Sequence, residues 1–551
     1  MKTPYQRLWL LLRPDQKEIY QVYTYSFFKG VIALSLPLGI QSIINLIQAG
    51  SFSIAWMVLV GIVIIGIAIG GYMQLMQMRI MEIFQQRIFT RAAFDFTFRI
   101  PKMKFEAINK YYAPELVNRF FDIITLQKSL SKIIIDFSSA ILQITFGLIL
   151  LSLYHPFFII FSVLLLLLVF LIFKLTSKKG MQTSYEESSY KYKVVSWLEE
   201  LARSKDSFKL AGNTRLPESK TDEKVLGYLN SRENHFKVLK KQYILLLIFK
   251  MFVALGLLLI GGLLVLNQQM NIGQFVASEI IILLVIDSAE KLILNLDNVF
   301  DTFTSLEKIG QVVEIEIDDE ERKSSLNHEF NESLSVEIDN LIFSYNNNKP
   351  VLKGISYFFD KNKNYCITGS NGSGKSTLLH LISGLYTAQQ GSICINGFPI
   401  ANYNLSKLYN SIGNGFNEET IFEGTLYENI TLGRNHIKND DVKWAINQVF
   451  LNDYIKSLPN GLDNHIEISG NKLSKSIIQR IILARSIVNK PKLLLIENHV
   501  DCIEDEARNK IIDFLTDKSN GWTLIFISND RYLQNKCDHI IHIENGQIIN
   551  S

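Results

Sequence analysis

The sequence predicts an α-helical six-span transmembrane domain followed by an α/β P-loop NTPase domain. Three observations predict it. Six apolar stretches approach or exceed the ~20 residues that cross a bilayer. The mean hydropathy is +0.15 with 20% charged residues, an unusual balance for a soluble protein. The run 365–379 carries the phosphate-loop pattern Gly-x4-Gly-Lys-Ser/Thr between a short apolar strand and a helix.

At 551 residues the chain is too long for one domain. The expected division is a membrane domain over 1–310, a linker over 311–332 and a nucleotide-binding domain over 333–551. A net charge of +3 gives no argument for a nucleic-acid partner. The four cysteines, Cys366, Cys394, Cys502 and Cys537, form no Cys-x-x-Cys pair, so neither a disulfide framework nor a zinc site is expected. Residues 1–17 carry Lys2, Arg7, Arg13 and Lys17 without a small-residue cleavage site, unlike a secretory signal peptide. Trp9 to Leu12 beside those cations predict a short helix at the membrane surface.

The spans fall at 25–47, 54–75, 133–153, 157–175, 243–266 and 272–294. Loops 48–53, 154–156 and 267–271 hold no Lys or Arg, whereas the connections after the second and fourth spans are rich in both. This bias places both termini and the P-loop domain in the cytoplasm, in a chain that crosses the cytoplasmic (inner) membrane and has the lipid bilayer as a partner. The basic connections read as helical continuations of the spans. Their tips, 105–122 and 204–214, are candidates for docking on a cytoplasmic domain. Lys29, Asp136, Lys174 and Lys250 lie toward the cytoplasmic ends of their spans, with Glu279, Asp287 and Glu290 along the sixth. A charge inside a span is a candidate functional group, and the plainer reading is one that faces the bundle or the interface.

After the sixth span comes a polar run, Asp318 to Lys323 with Ser324, Ser325 and Asn327, read as a linker. From about Leu334 strands and helices alternate, as in an α/β domain. Within the loop, Gly369, Gly372 and Gly374 let backbone N–H groups turn inward around a phosphate. Ser370, Asn371 and Ser373 complete the cradle, Lys375 supplies a charge for the β/γ-phosphates, and the Ser376 hydroxyl is a ligand for Mg2+. Thr377 opens the following helix, expected over 377–385, whose positive end faces the anion.

Six spans, linker and phosphate loop in this order resemble a half-transporter of the ATP-binding cassette (ABC) exporter family. Residues 341–345 resemble that family's adenine-stacking segment, with Tyr345 as the aromatic. Residues 421–430 (Ile-Phe-Glu-Gly-Thr-Leu-Tyr-Glu-Asn-Ile) and 458–463 (Leu-Pro-Asn-Gly-Leu-Asp) match stretches typical of these exporters. Leu36 to Gln41 resembles bacterial peptide and toxin exporters of the type I secretion kind, although no peptidase domain is expected before the first span. The resemblance implies ATP and Mg2+ as cofactors and a second half-transporter as partner, in a homodimer or a heterodimer with a more active subunit. A peptide, a lipid or another hydrophobic compound is the implied cargo.

The family's catalytic positions, located by spacing, are altered. The signature Leu-Ser-Gly-Gly-Gln reads Leu473-Ser474-Lys475-Ser476-Ile477, keeping the Ser474 that reaches the partner's γ-phosphate. The Walker B carboxylate falls on Glu497 in place of Asp. The next position, where the family has the glutamate that polarises water, is Asn498, which accepts no proton at neutral pH. A one-residue slip would make Glu497 that base, at the cost of an unbroken spacing. His499 reads as structural. The glutamine that senses the nucleotide falls on Asn417, the switch histidine on Asn529 and the D-loop aspartate on Glu504. The expectation is a cassette that binds ATP and turns it over poorly or only with a partner. The alternative is a nucleotide-sensing membrane scaffold that binds ATP without productive hydrolysis.

Overall fold

The computed structural model describes residues 3–48, 54–108, 111, 113–318, 330–345, 349–417, 419–467 and 473–550. The expected linker residues from Asp319 to Asn327, and all of the first outward loop but Gln48, lie outside the described residues. The chain forms two compact units, Met1–Met103 with Ala107–Glu316, and Lys104–Glu106 with Ile317–Ser551.

Among the described residues, six helices of the first unit are long and apolar enough to cross a membrane. Three of them, Ile54–Arg99, Phe157–Arg203 and Leu216–Leu266, run for 46, 47 and 51 residues. At ~1.5 Å per residue these are rods of roughly 70–75 Å, more than twice the ~30 Å hydrocarbon layer. The basic connections are thus helical continuations of the spans. Ile64, Ile65, Leu166, Leu167, Leu258 and Leu259 are exposed on these rods, an apolar exterior that suits acyl chains and that a water-soluble surface avoids. The first span is divided into Gln16–Ala33 and Ser35–Gln48. Its break at Leu34 precedes Pro37, which has no N–H for the carbonyl of Ala33 and whose ring crowds that turn.

Several polar groups inside the bundle are paired. Gln77 is fully buried and donates to Val22 O (3.1 Å) and Ser26 Oγ (2.6 Å), and Ser26 meets Ser138 Oγ at 2.8 Å. Lys250 pairs with Glu290, Lys29 donates to Gln74 (3.2 Å), and Asn295 donates to Asp136 (3.2 Å). Lys174 and Asp287 are exposed and Glu279 is half-buried.

The N-terminal helix Pro4–Leu12 starts on a capping box between Thr3 and Gln6. Arg7 is buried against the end of helix Leu296–Val313, where its guanidinium pairs with Glu307 and donates to both oxygens of Glu314 (2.8 and 3.1 Å). Trp9 and Leu10 point away from the unit, 60% and 46% exposed, as a helix at a membrane surface would place them.

The second unit holds a six-stranded sheet, in the order Gln547–Asn550, His539–Glu544, Asn364–Thr368, Thr523–Ile527, Leu493–Glu497, Ile412–Gly415. All neighbours in it are parallel except the first pair. A four-stranded antiparallel sheet is built on Val336–Phe343 and Leu352–Phe359. Both faces of the parallel strands are covered, so they read as unbroken apolar runs. Alternation sorts their side chains: Leu493, Leu495, Ile525 and Ile527 join one core with helix Lys375–Ile382, while Leu494, Ile496, Leu524 and Phe526 join a second with helix Lys475–Ile487. The phosphate-loop helix ends at Ile382, three residues short of the expected 385, where the chain turns through Gly384 at φ +82°. Phe105 belongs to this unit, its ring edge-on to Tyr386 (5.2 Å) and His380 (5.8 Å), and the Thr387 N–H donates to Glu106 (2.6 Å).

Replacing Arg7 with alanine removes the buried cation that Glu307 and Glu314 share. We expect a loss of about 2–4 kcal/mol from the first unit, scaled from the effect of breaking buried ion pairs, read as a lower thermal unfolding midpoint of the full chain. An unchanged midpoint would show that this anchor contributes nothing.

Candidate nucleotide site

Parallel strands place their C-terminal ends along one edge, the usual location of ligand sites in open α/β sheets. Here the register sets Ile367, Ile527 and Glu497 in one row, with Gly415 opposite Ile496. The segments leaving that row are the phosphate loop, the stretch Ser528 to Asp530, the stretch Asn498 to Val500 and the stretch Phe416 to Asn417. Residues far apart in the chain are brought to one edge by strand order.

The loop is closed by close backbone approaches. Gly369 sits at φ +142°, and a Cβ there would lie 2.0 Å from the carbonyl oxygen of Ile543. Gly374 sits at φ +103°, a backbone conformation that favours glycine, with Leu352 Cδ2 2.6 Å from where a Cβ would lie. The Ser373 N–H donates to Ser370 O (3.2 Å) and the Gly546 N–H donates to Ser373 O (3.1 Å). Asn371 and Gly372 are exposed at the rim. Lys375 folds over the loop, its ammonium donating to Gly369 O (2.9 Å) and Ser370 O (2.7 Å). Burial holds that ammonium below its ordinary pKa, with Glu497 and Glu544 pulling the other way.

Ser376 donates to Glu497 Oε1 at 2.5 Å, so the hydroxyl and carboxylate expected to share a cation are adjacent. Thr377 is buried and its hydroxyl meets Tyr345 OH at 2.9 Å, while the Tyr345 ring lies edge-on to Phe343 and Tyr386. Tyr345 thus sits against the helix that follows the phosphate loop. Asn498 is half-buried at φ +52°, a left-handed conformation that asparagine tolerates better than most residues. Its N–H donates to Ile527 O (3.0 Å). His499 is buried, its Nδ1 2.6 Å from the carbonyl oxygen of Glu497, a contact that a neutral ring makes by donating Nδ1–H. Asn417 and Asn529 are exposed at the same sheet edge.

Ser474 lies apart from this group. It caps helix Lys475–Ile487, its Oγ accepting from the Ile477 N–H (3.3 Å), and its side chain is exposed. Among the described residues no hydrogen bond joins it to the phosphate loop. Two further residues shape the site without a motif to announce them. Glu544, 174 positions from Ser370, accepts its hydroxyl at 2.9 Å. Gln479 donates to Asn498 O (3.4 Å) and accepts from the Cys502 N–H (3.1 Å), tying the signature helix to the chain just past Glu497.

The family model for the ABC transporter transmembrane region matches residues 23–288, and that for the ABC transporter domain matches residues 352–499. The chain belongs to the ABC transporters, with the two regions fused in one polypeptide. It is 31% identical over 214 residues to an ATP-dependent lipid A-core flippase of Saccharophagus degradans, and 32% identical over 215 residues to a provisionally named multidrug export ATP-binding/permease protein of Staphylococcus aureus. Each match takes in 39% of this chain and only 36% and 37% of the relative's own length. A solved bacterial Atm1-family ABC exporter with ATP bound superposes with a TM-score of 0.83 at 17% identity, covering 97% of this chain and 94% of the other. That likeness establishes an exporter-type fold.

Burial holds the His499 imidazole below its ordinary pKa, outweighing the opposite pull of Glu497. The unfolded chain then takes up a proton near pH ~6.5 before the folded chain does, so stability rises with pH through this window and falls as pH drops below it. We expect the unfolding midpoint to fall between pH 7.5 and 5.5, and His499→Gln to flatten that fall. An equal fall in the variant would assign it to other groups.

Proposed function

We propose that the chain is a half-transporter that binds Mg-ATP and exports a substrate across the cytoplasmic membrane by alternating access, with hydrolysis that is impaired or dependent on a partner. The observation that carries the reading is the meeting of Ser376 and Glu497 beside an intact phosphate loop, with Asn498 at the next position. The residues fit the group. The loop N–H groups and Lys375 bind phosphate oxygens, and Ser376 and Glu497 offer a hydroxyl and a carboxylate to a divalent cation. Bound Mg-ATP supplies the phosphoanhydride whose cleavage resets an exporter.

What the chain lacks is a proton acceptor at Asn498. A carboxamide there orients water by hydrogen bonds yet takes no proton, and a general base contributes roughly 10²–10⁴ in rate. In a homodimer both sites carry this defect together with the signature Leu473 to Ile477. In a heterodimer each composite site carries one of the two defects, and Ser474 still offers its hydroxyl to a γ-phosphate. The names of the relatives favour a lipid or drug-like cargo over a peptide. The five altered positions, at the signature, Asn417, Asn498, Glu504 and Asn529, favour a second reading: a scaffold that senses nucleotide and does not turn it over.

Purified full chain is expected to bind Mg-ATP, to lose that binding with Lys375→Ala, and to hydrolyse slowly. Asn498→Glu is expected to raise steady-state turnover by ~10-fold or more, within the range of a general base. Brisk hydrolysis by the unmodified chain alone would overturn the impairment. Turnover appearing only after a partner subunit is added would remove the scaffold reading.

A further inference from the structure

Outside the cassette, the first unit holds a cavity of about 520 Å³. Its walls come from four parts of the fold: the turn Arg119–Phe121 with the helix Ala113–Asn118 before it, and the helices Phe157–Arg203, Leu216–Leu266 and Leu296–Val313. Five cations line it, Arg119, Lys193, Lys220, Lys224 and Lys308, against two carboxylates, Glu115 and Glu200. Glu200 is already held by Arg203 at 2.7 and 2.8 Å, and Glu115 comes no nearer to Arg119 than 3.9 Å.

Two of the cations are buried. Arg119 is 8% exposed, and its Nη1 finds no hydrogen-bond partner among the described residues. Lys308 is 6% exposed, and among the described residues its ammonium has no ion pair, only the ring faces of Tyr185 (4.8 Å) and Tyr192 (5.4 Å). The nearby carboxylate of Asp122 is taken by Tyr192 OH (2.5 Å) and Lys191 (3.4 Å). A buried guanidinium that reaches Glu115 only at 3.9 Å and leaves Nη1 without a hydrogen-bond partner among the described residues is poorly compensated, and its planar fork matches the geometry of a phosphate oxygen pair. The cavity exceeds what a single halide would fill. Its depth decides the source. Tyr192 stands 35 residues along the helix that begins at Phe157, or roughly 52 Å at ~1.5 Å per residue. That exceeds the ~40–45 Å of a bilayer with its headgroups, even at an average tilt of ~20°.

We propose that this cavity is a binding site for a soluble phosphate-bearing anion, held by Arg119 and Lys308 within and drawn in by Lys193, Lys220 and Lys224 at the rim. The assignment rests on the helices crossing the membrane and is independent of the cassette, so its failure leaves the exporter reading untouched.

The test uses the full chain in phosphatidylcholine nanodiscs, in a Lys375→Ala background that silences the phosphate loop, with radiolabelled inorganic phosphate in equilibrium dialysis. One saturable phosphate per chain is expected, weakened at least tenfold by Arg119→Gln and by Lys308→Gln. Phosphate is also expected to raise the unfolding midpoint of the parent but not of Arg119→Gln. Because a buried substitution can disturb folding, the rim variant Lys220→Gln with Lys224→Gln, at one exposed and one half-buried position, provides a second reading: a loss of phosphate affinity of twofold or more with no change in the ligand-free midpoint. Absence of saturable binding, or binding indifferent to both sets of substitutions, overturns the proposal. Repeating the titration in nanodiscs containing phosphatidic acid is expected to change nothing, and loss of phosphate binding there would hand the site to a lipid headgroup and overturn the soluble assignment.

Discussion

The hydrogen bond between Ser376 and Glu497 spans 121 positions of sequence and depends on one constraint, the parallel register of three neighbouring strands. Asn364–Thr368 and Leu493–Glu497 are not partners. Thr523–Ile527 lies between them and fixes both, so the loop after the first strand and the carboxylate at the end of the third are set by the middle one. A slip of one residue would turn either Glu497 or the strand that feeds the phosphate loop to the other face of the sheet, according to which pairing slipped. The alternation that divides Leu493 and Leu495 from Leu494 and Ile496 holds that register, because each set fills a separate core. Packing on both sides of the sheet therefore sets the geometry of a polar contact at its rim.

The membrane unit depends on a different balance. Its outer surface is apolar and buys nothing from facing water, so the contacts that tell one helix from another are few and polar. Gln77, Ser26 and Ser138 join three helices in one hydrogen-bonded chain, and Lys250 with Glu290 joins two more. In hydrocarbon such groups have no solvent to return to, which makes their pairing a determinant of helix arrangement.

Much of this was legible in the sequence, for identifiable reasons. The spans are visible because a bilayer demands long apolar runs. The phosphate loop is visible because Gly369 and Gly374 both hold positive-φ backbones that favour glycine, and a Cβ at Gly369 would strike the carbonyl of Ile543. Spacing between Leu473 and Glu497 is readable because a helix and a strand of fixed length lie between, and Asn498 follows directly at the end of that strand. Glu544, Gln479 and the partners of Arg7 were not legible. Each acts through a contact with a residue far away in the chain, and no local pattern marks a side chain whose only peculiarity is its neighbour. The expected helix over 377–385 overran for a similar reason, since the turn at Gly384 is a backbone choice that a single glycine does not force.

The division of the first span at Leu34 has a further meaning. Its site lies 14 residues from the end at Gln48, roughly 21 Å at ~1.5 Å per residue and inside the thickness of the hydrocarbon. Pro37 removes the donor that the carbonyl of Ala33 would have had. A released backbone acceptor is intolerable against acyl chains and acceptable only beside protein or water. The joint therefore turns toward protein: Pro37 and Gly39 beside it are buried, Gly39 under Val63, while Leu38 and Ile47 on the same helix stay exposed.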